Sequence, residues 1–158
     1  MSHHPTSRST IALSFPQAEW DLLVRLPGRV LIAATSVERD SARYTVADGL
    51  AGIEAIAAGR ASPSRLLHDV VAAIYAEQVD DTDPGEFADP RSGIASVLAD
   101  CRTAARTLEE RTACADAGAY RDWLVDIAVT VCSAVRAGGR VTPAEQRFLA
   151  DLSLALTV

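Results

Sequence analysis

Asp116-Ala117-Gly118-Ala119-Tyr120-Arg121-Asp122-Trp123-Leu124-Val125-Asp126-Ile127-Ala128-Val129-Thr130-Val131-Cys132-Ser133-Ala134-Val135 is the stretch that decides the fold. Tyr120, Trp123, Leu124, Ile127, Val131 and Val135 recur at intervals of three and four, which sets them on one side of an α-helix and makes that side a core face. Asp122, Asp126 and Ser133 fall elsewhere on the circumference. Gly138-Gly139 ends the helix, since glycine reaches the left-handed conformation of a helix terminus without a Cβ clash. Thr142-Pro143-Ala144-Glu145 then opens another: a threonine N-cap, a proline where the missing N–H costs nothing, and an acid placed as in a capping box. Phe148, Leu149, Leu152 and Leu156 give that helix its buried face. The outcome is a long helix, a tight turn and a shorter helix folded back.

Working outward, the same logic covers the chain. Trp20, Leu23 and Val24 share a face of a short helix that Leu26-Pro27-Gly28 is expected to end. Val30, Leu31, Ala34 and Val37 mark the next. After Asp40 to Tyr44, Thr45-Val46-Ala47-Asp48 repeats the cap, and Leu50, Ile53, Ile56 and Ala57 form the stripe of a third helix running to about Gly59. Gly49 and Gly52 there let a neighbour approach closely. Ser62-Pro63 starts a fourth helix with Leu66, Leu67, Val70, Val71, Ile74 and Tyr75 inward. Two prolines and a glycine between Val79 and Pro90 forbid a continuous helix, so 79–90 reads as an acidic, solvated loop. Ile94, Val97, Leu98, Cys101, Ala105 and Leu108 mark a fifth, long helix, ending near Arg111-Thr112. A turn at Ala115–Gly118 leads to the last pair. Seven helices and no strand make an all-α, single compact bundle. Residues 1–12 read as a flexible tail and 13–158 as one domain. Val30–Ala58 and Ile127–Leu156 share an outline of helix, polar turn, cap and helix, as two similar helical hairpins.

The chain has 158 residues, about half of them apolar, enough for one good core. Its net charge is -6 and its basic residues are all arginine. Most of the acidic excess lies between Ser62 and Ala115, a poor arrangement for a nucleic-acid binder, whose affinity rests on clustered positive charge. Cys101, Cys114 and Cys132 fit neither a disulfide framework nor a zinc knuckle, and imply a reducing, cytoplasmic setting. The polar start is no signal peptide, and the longest apolar run is well short of the roughly 20 residues of a membrane span.

Ala137-Gly138-Gly139-Arg140-Val141-Thr142-Pro143-Ala144-Glu145-Gln146-Arg147-Phe148-Leu149 resembles the signature of the tellurite-resistance TerB-like family: a helix ending in Ala-Asp-Gly, a small-to-apolar step, a Ser or Thr cap, a Glu three residues on, and an apolar helix. About thirty residues carry the resemblance, and the seven-helix layout follows it loosely. It implies an all-helical fold, a bacterial stress-linked or uncharacterised role without demonstrated catalysis, and in some members divalent-metal binding by the turn acids. Gly138 stands where the family has its aspartate. Glu145 matches the family's glutamate; in the first hairpin Asp40 keeps the aspartate, and Asp48 stands in for the glutamate one residue late. A divalent-metal site carried over from the family would therefore use Asp40, Asp48 and Glu145, oxygen ligands of the kind Ca²⁺ or Mg²⁺ prefers. The plainer reading, and the preferred one, makes Asp48 and Glu145 ordinary helix-start acids.

Other candidates are weaker. Asp80–Glu86 lacks the spacing of a calcium loop. His68-Asp69 has no nucleophile motif beside it. Cys101 and Cys132 read as small buried hydrophobes and Cys114 as exposed. Arg25, Arg29 and Arg43 are candidates for an anion cluster, with plain surface charge as the commoner explanation. The leading expectation is a non-enzymatic interaction or sensing module with no cofactor. The alternatives are a self-associating scaffold built on the small-residue faces around Gly49, Gly52, Ala57 and Ala58, and a small-ligand or divalent-metal binder. The partner would be a protein or a second copy of the chain, with neither nucleic acid nor membrane.

Overall fold

A computed structural model describes residues 9–37, 46–77, 85–134 and 141–157. Among them are seven α-helices and no strand: α1 (Thr10–Leu13), α2 (Gln17–Ser36), α3 (Val46–Ala57), α4 (Arg65–Glu77), α5 (Pro90–Arg111), α6 (Cys114–Ala134) and α7 (Pro143–Ala155), with a 3₁₀ turn at Ala58–Ala61. The all-α bundle is as the periodicity predicts. Helices α2 and α6 lie at its centre: α5 packs on α2, α3 on α6, and α7 across α5 and α6. Leu23, Leu26 and Val30 of α2 meet Val97 and Leu108 of α5, Tyr120, Leu124 and Ile127 of α6, and Leu152 of α7 in a single fully buried core. Among the described residues no helix is long and apolar enough to cross a membrane.

The helix count agrees with the sequence reading, but its composition differs. Leu26-Pro27-Gly28 does not end a helix; α2 runs through it for 20 residues with Pro27 buried inside. Proline removes the N–H that would bond the carbonyl four residues earlier, here that of Leu23. Tyr120, fully buried on α6, donates its hydroxyl to that same Leu23 oxygen at 2.8 Å. A residue 97 positions away thus supplies the missing donor, and the helix continues. The other correction to the count lies at the start. Ser9 caps α1 by accepting from the Ala12 N–H, and Ala12 is buried, so residues 9–12, read from the sequence as part of a tail, enter a capped helix; residues 1–8 lie outside the described residues.

Helix α3 turns differently from its predicted stripe. Gly52 faces inward, where an added Cβ would sit 2.3 Å from Leu31 Cδ1 and 3.3 Å from Val131 Cγ2. Ile56 is buried one turn on, and Gly59 presses against Trp123, whose indole N–H donates to the Ala55 carbonyl at 3.1 Å. With the small residues inward, Leu50 and Ile53 are left 55% and 54% exposed. The close approach predicted from glycine is real, and at Gly52 it serves packing within the chain rather than between chains.

Three smaller corrections follow. Helix α4 begins at Arg65, after Ser64, whose carbonyl accepts the His68 N–H; Ser62 closes the 3₁₀ turn, and Tyr75 lies outside the core under Arg60. Helix α6 begins at Cys114 and passes through Gly118 without a turn. At the end of the acidic loop, Phe87 is buried and Glu86 is half-buried rather than solvated.

Candidate functional site

Four clusters of polar groups stand out among the described residues, and their hydrogen bonding sorts them. At the start of α7, Thr142 is the N-cap with extended φ and ψ. Its hydroxyl accepts the Glu145 N–H at 3.1 Å and bonds Glu145 Oε1 at 3.0 Å. Glu145 is 3% exposed, its Oε2 has no hydrogen-bond partner, and its charge, after burial, helps push the Cys132 thiol up to about 12. The predicted cap is therefore in place. Asp40 lies outside the described residues, and so does the side chain of Asp48, whose backbone stands in the first turn of α3. Of the three carboxylates named for a metal, only Glu145 is located, and it is held by its cap. Among the described residues no group of three or more His, Cys, Asp or Glu side chains is arranged to hold a metal ion.

The second cluster ties α4 to α6. Ser64, buried, donates its hydroxyl to Asp116 Oδ1 at 2.7 Å, and Asp116 sits in the first turn of α6 where the macrodipole favours a negative charge. His68 turns away from this pair, its Nε2 on the Ser62 carbonyl. The third cluster is Arg29. Its guanidinium bonds Glu86 and Asp100 and reaches Ser96 at 3.3 Å, so the chain entering α5 is fastened to α2. Arg29 stands 17% exposed with two carboxylates around it, which removes it from the anion cluster proposed for Arg25, Arg29 and Arg43; Arg43 lies outside the described residues. Both clusters use their polar atoms internally.

The fourth is different. Gly118, Arg121, Asp122, Val125 and Asp126 of α6, with Ser153, Leu156 and Thr157 at the end of α7, line an open cleft of about 500 Å³. Its α6 side is built by spacings of three and four, the periodicity that brings helix side chains into register. Arg121 is half-buried like Arg29, yet it has no ion pair among the described residues, and its Nε is shut off from solvent without a hydrogen-bond partner. A half-buried guanidinium that lines a cleft without a counter-ion is a cation that an incoming acceptor can pair. Asp122 cannot answer it, because neighbouring residues on a helix point about 100° apart. Asp122 and Asp126 are exposed along the rim, Leu156 is the buried floor, and Val125 is a half-buried wall. Reading α6 from its apolar stripe set Asp122 and Asp126 aside, left Arg121 unremarked and put Gly118 in a turn. The signal that finds them is the polar spacing itself: 118, 121, 122, 125, 126.

The thiols behave as packing residues. Cys101 and Cys132 are buried and Cys114 is exposed, each as read from the sequence. Burial pushes Cys101 up to about 12, with the Asp100 charge adding to it.

Comparison of the chain with protein-family models, with curated proteins and with solved structures returns no match.

Proposed function

We propose that this chain is a non-enzymatic, TerB-like sensing module of the bacterial cytoplasm, which takes a small polar ligand in the cleft between α6 and α7 and passes its occupancy to a protein partner. The observation that carries the reading is Arg121, a half-buried cation with an unsatisfied Nε on a cleft of small-molecule size. Two further points support it. The cleft joins the central helix α6 to the last turn of α7, so a ligand that draws them together acts on the core helix on which α3 also packs. The capped start of α7 at Thr142 and Glu145 is also the part of the chain that carries the family resemblance. The link to stress or tellurite resistance rests on that resemblance alone.

The test is an amide NMR titration of the isotope-labelled protein with a panel of small acids, amines and zwitterions. Shifts confined to Gly118–Asp126 and Ser153–Thr157 are expected for a subset of the panel. If every compound leaves those resonances in place, the sensing reading fails.

A second reading, self-association, is favoured by Leu50 and Ile53, which project from α3 a turn apart and more than half exposed. Light scattering across a concentration series decides it: a dimer that Ile53→Asp dissociates makes α3 the interface, and a monomer throughout removes it.

A further inference from the structure

Resting on the cleft reading, the ligand itself is legible in the arrangement of charges. We infer that the α6–α7 cleft binds a small zwitterion, with its carboxylate on Arg121 and its ammonium between Asp122 and Asp126, the two groups joined by a short methylene chain.

Helix geometry sets the two ends. Side chains on an α-helix lean toward its N-terminus, so Arg121 leans over the turn that contains Gly118. At Gly118 an added Cβ would meet nothing within 4 Å, so the cleft is open at that position. The arginine lines the cleft with its Nε unsatisfied and no carboxylate among the described residues paired to it. A carboxylate is the acceptor that matches a guanidinium fork in two parallel bonds. Asp122 and Asp126 stand four residues apart in the next column of the helix surface, with ~6 Å between their Cβ atoms, close enough for one cation to serve both.

The last turn of α7 also lines the cleft. Its backbone carbonyls carry the negative pole of the helix, and several are already fixed in place: Leu154 accepts the Thr157 N–H, Leu152 the Leu156 N–H, and Ser153 the Thr157 hydroxyl at 2.8 Å. Negative charge therefore comes to the cleft from both helices, with Arg121 as the one cation in its lining. A simple anion would meet that negative charge as repulsion, and a simple amine would leave Arg121 unpaired.

Between the two ends the cleft is apolar. Val125 walls it and Leu156 floors it, which suits methylene groups rather than hydroxyls. Along the axis, position 121 and the middle of the Asp122–Asp126 pair are about one turn apart, ~5 Å, so an ω-amino acid with a three-carbon linker is the shortest probe to span them. Gamma-aminobutyrate is the probe of that length; butyrate and butylamine each keep one of its charges and most of its shape.

The experiment titrates the full chain with each of the three, read by amide NMR and calorimetry. Gamma-aminobutyrate is expected to bind at least tenfold more tightly than either control, with shifts at Gly118–Asp126 and Ser153–Thr157. Arg121→Gln should erase its advantage over butylamine, Asp126→Asn its advantage over butyrate, and Gly118→Leu should abolish binding of all three by filling the cleft at that position. Asp126 and Gly118 do not depend on the half-buried arginine, so they decide the matter even where Arg121→Gln weakens the fold, as circular dichroism would show. Butyrate binding as tightly as gamma-aminobutyrate makes this a plain anion site; butylamine doing so makes it a cation site. Either result overturns the zwitterion and leaves the cleft reading standing. Silence of the cleft toward these probes and toward the whole panel overturns both.

Discussion

Replacing Tyr120 with phenylalanine isolates the bond that lets α2 run through Pro27. The ring stays in place and only the hydroxyl is lost, leaving the Leu23 carbonyl in the core with neither Tyr120 nor a helical N–H to bond it. A buried acceptor left unsatisfied costs about 1–3 kcal/mol. For a chain of this size that is a fall in melting temperature of about 3–10 °C. The loss alone does not identify the cause, so the second half of the test restores the missing donor from the other side. Pro27→Ala gives residue 27 an N–H aimed at the Leu23 carbonyl, as in any unbroken helix. Tyr120→Phe should therefore cost less in the Pro27→Ala background than in the natural chain, with a coupling of about 1 kcal/mol measured by chemical denaturation in a double-mutant cycle. Pro27→Ala by itself has no clear sign, since it loses buried ring and gains a hydrogen bond; the cycle cancels that ambiguity. Equal costs for Tyr120→Phe in the two backgrounds, within about 0.5 kcal/mol, would refute the reasoning.

Stability should fall as pH rises through the alkaline range. Burial first, with nearby negative charge adding to it, pushes Cys101 and Cys132 from 9.0 up to about 12, and burial raises Tyr120 well above 10.0. The folded chain then keeps protons that the unfolded chain releases, so the stability these groups carry is full below about pH 9 and lost as pH climbs toward the folded values; a melting temperature that stays level from about pH 8 to 11 would contradict this. Thr142→Ala should destabilise by about 1 kcal/mol through loss of the α7 cap, and Thr142→Ser should recover most of it, read by thermal melts. Gly59→Ala places a Cβ 2.9 Å from both Trp123 and Val71 and should cost about 1–3 kcal/mol by overpacking. Gly28→Ala, with nothing within 4 Å and a helical backbone around it, should stabilise by about 0.5–1 kcal/mol. If the two glycines respond alike in urea denaturation, the packing at Gly59 is not what fixes α3 in place.

How much was legible in the sequence depended on how far away the deciding atoms were. The capped start of α7 was readable because Thr142, Pro143 and Glu145 interact within one turn, and the structure returns the same bonds. The inward face of α6 was readable because one helix's own periodicity defines it. Pro27 was misread as an end because the donor that rescues Leu23 sits on α6, and nothing near Pro27 announces it. The same holds for Leu50 and Ile53. Hydrophobicity alone puts them inside, yet the space beside Leu31 and Val131 admits only a glycine, so the helix turns its larger residues out. Glu86 was read as solvent-facing because its partner, Arg29, lies 57 residues earlier.

The cleft follows the same rule with one instructive difference. Its α6 side was present in the sequence as a row of charged and small residues at helical spacing, but such a row is the ordinary surface of an amphipathic helix. What turns it into a cleft is where α7 stops. Leu156 and Thr157 close one side because the helix ends at Ala155, and Gly118 leaves the other side open because it carries no side chain. Arg29 and Arg121 make the consequence plain: both are half-buried arginines on core helices, and the residues next to them in sequence do not tell them apart. The fold brings Glu86 and Asp100 to the first and, among the described residues, no paired carboxylate to the second. A partly buried guanidinium without a counter-ion among the described residues is open to an acceptor from outside the chain, which is why the proposed function turns on Arg121 and not on the turn acids that the family resemblance put forward.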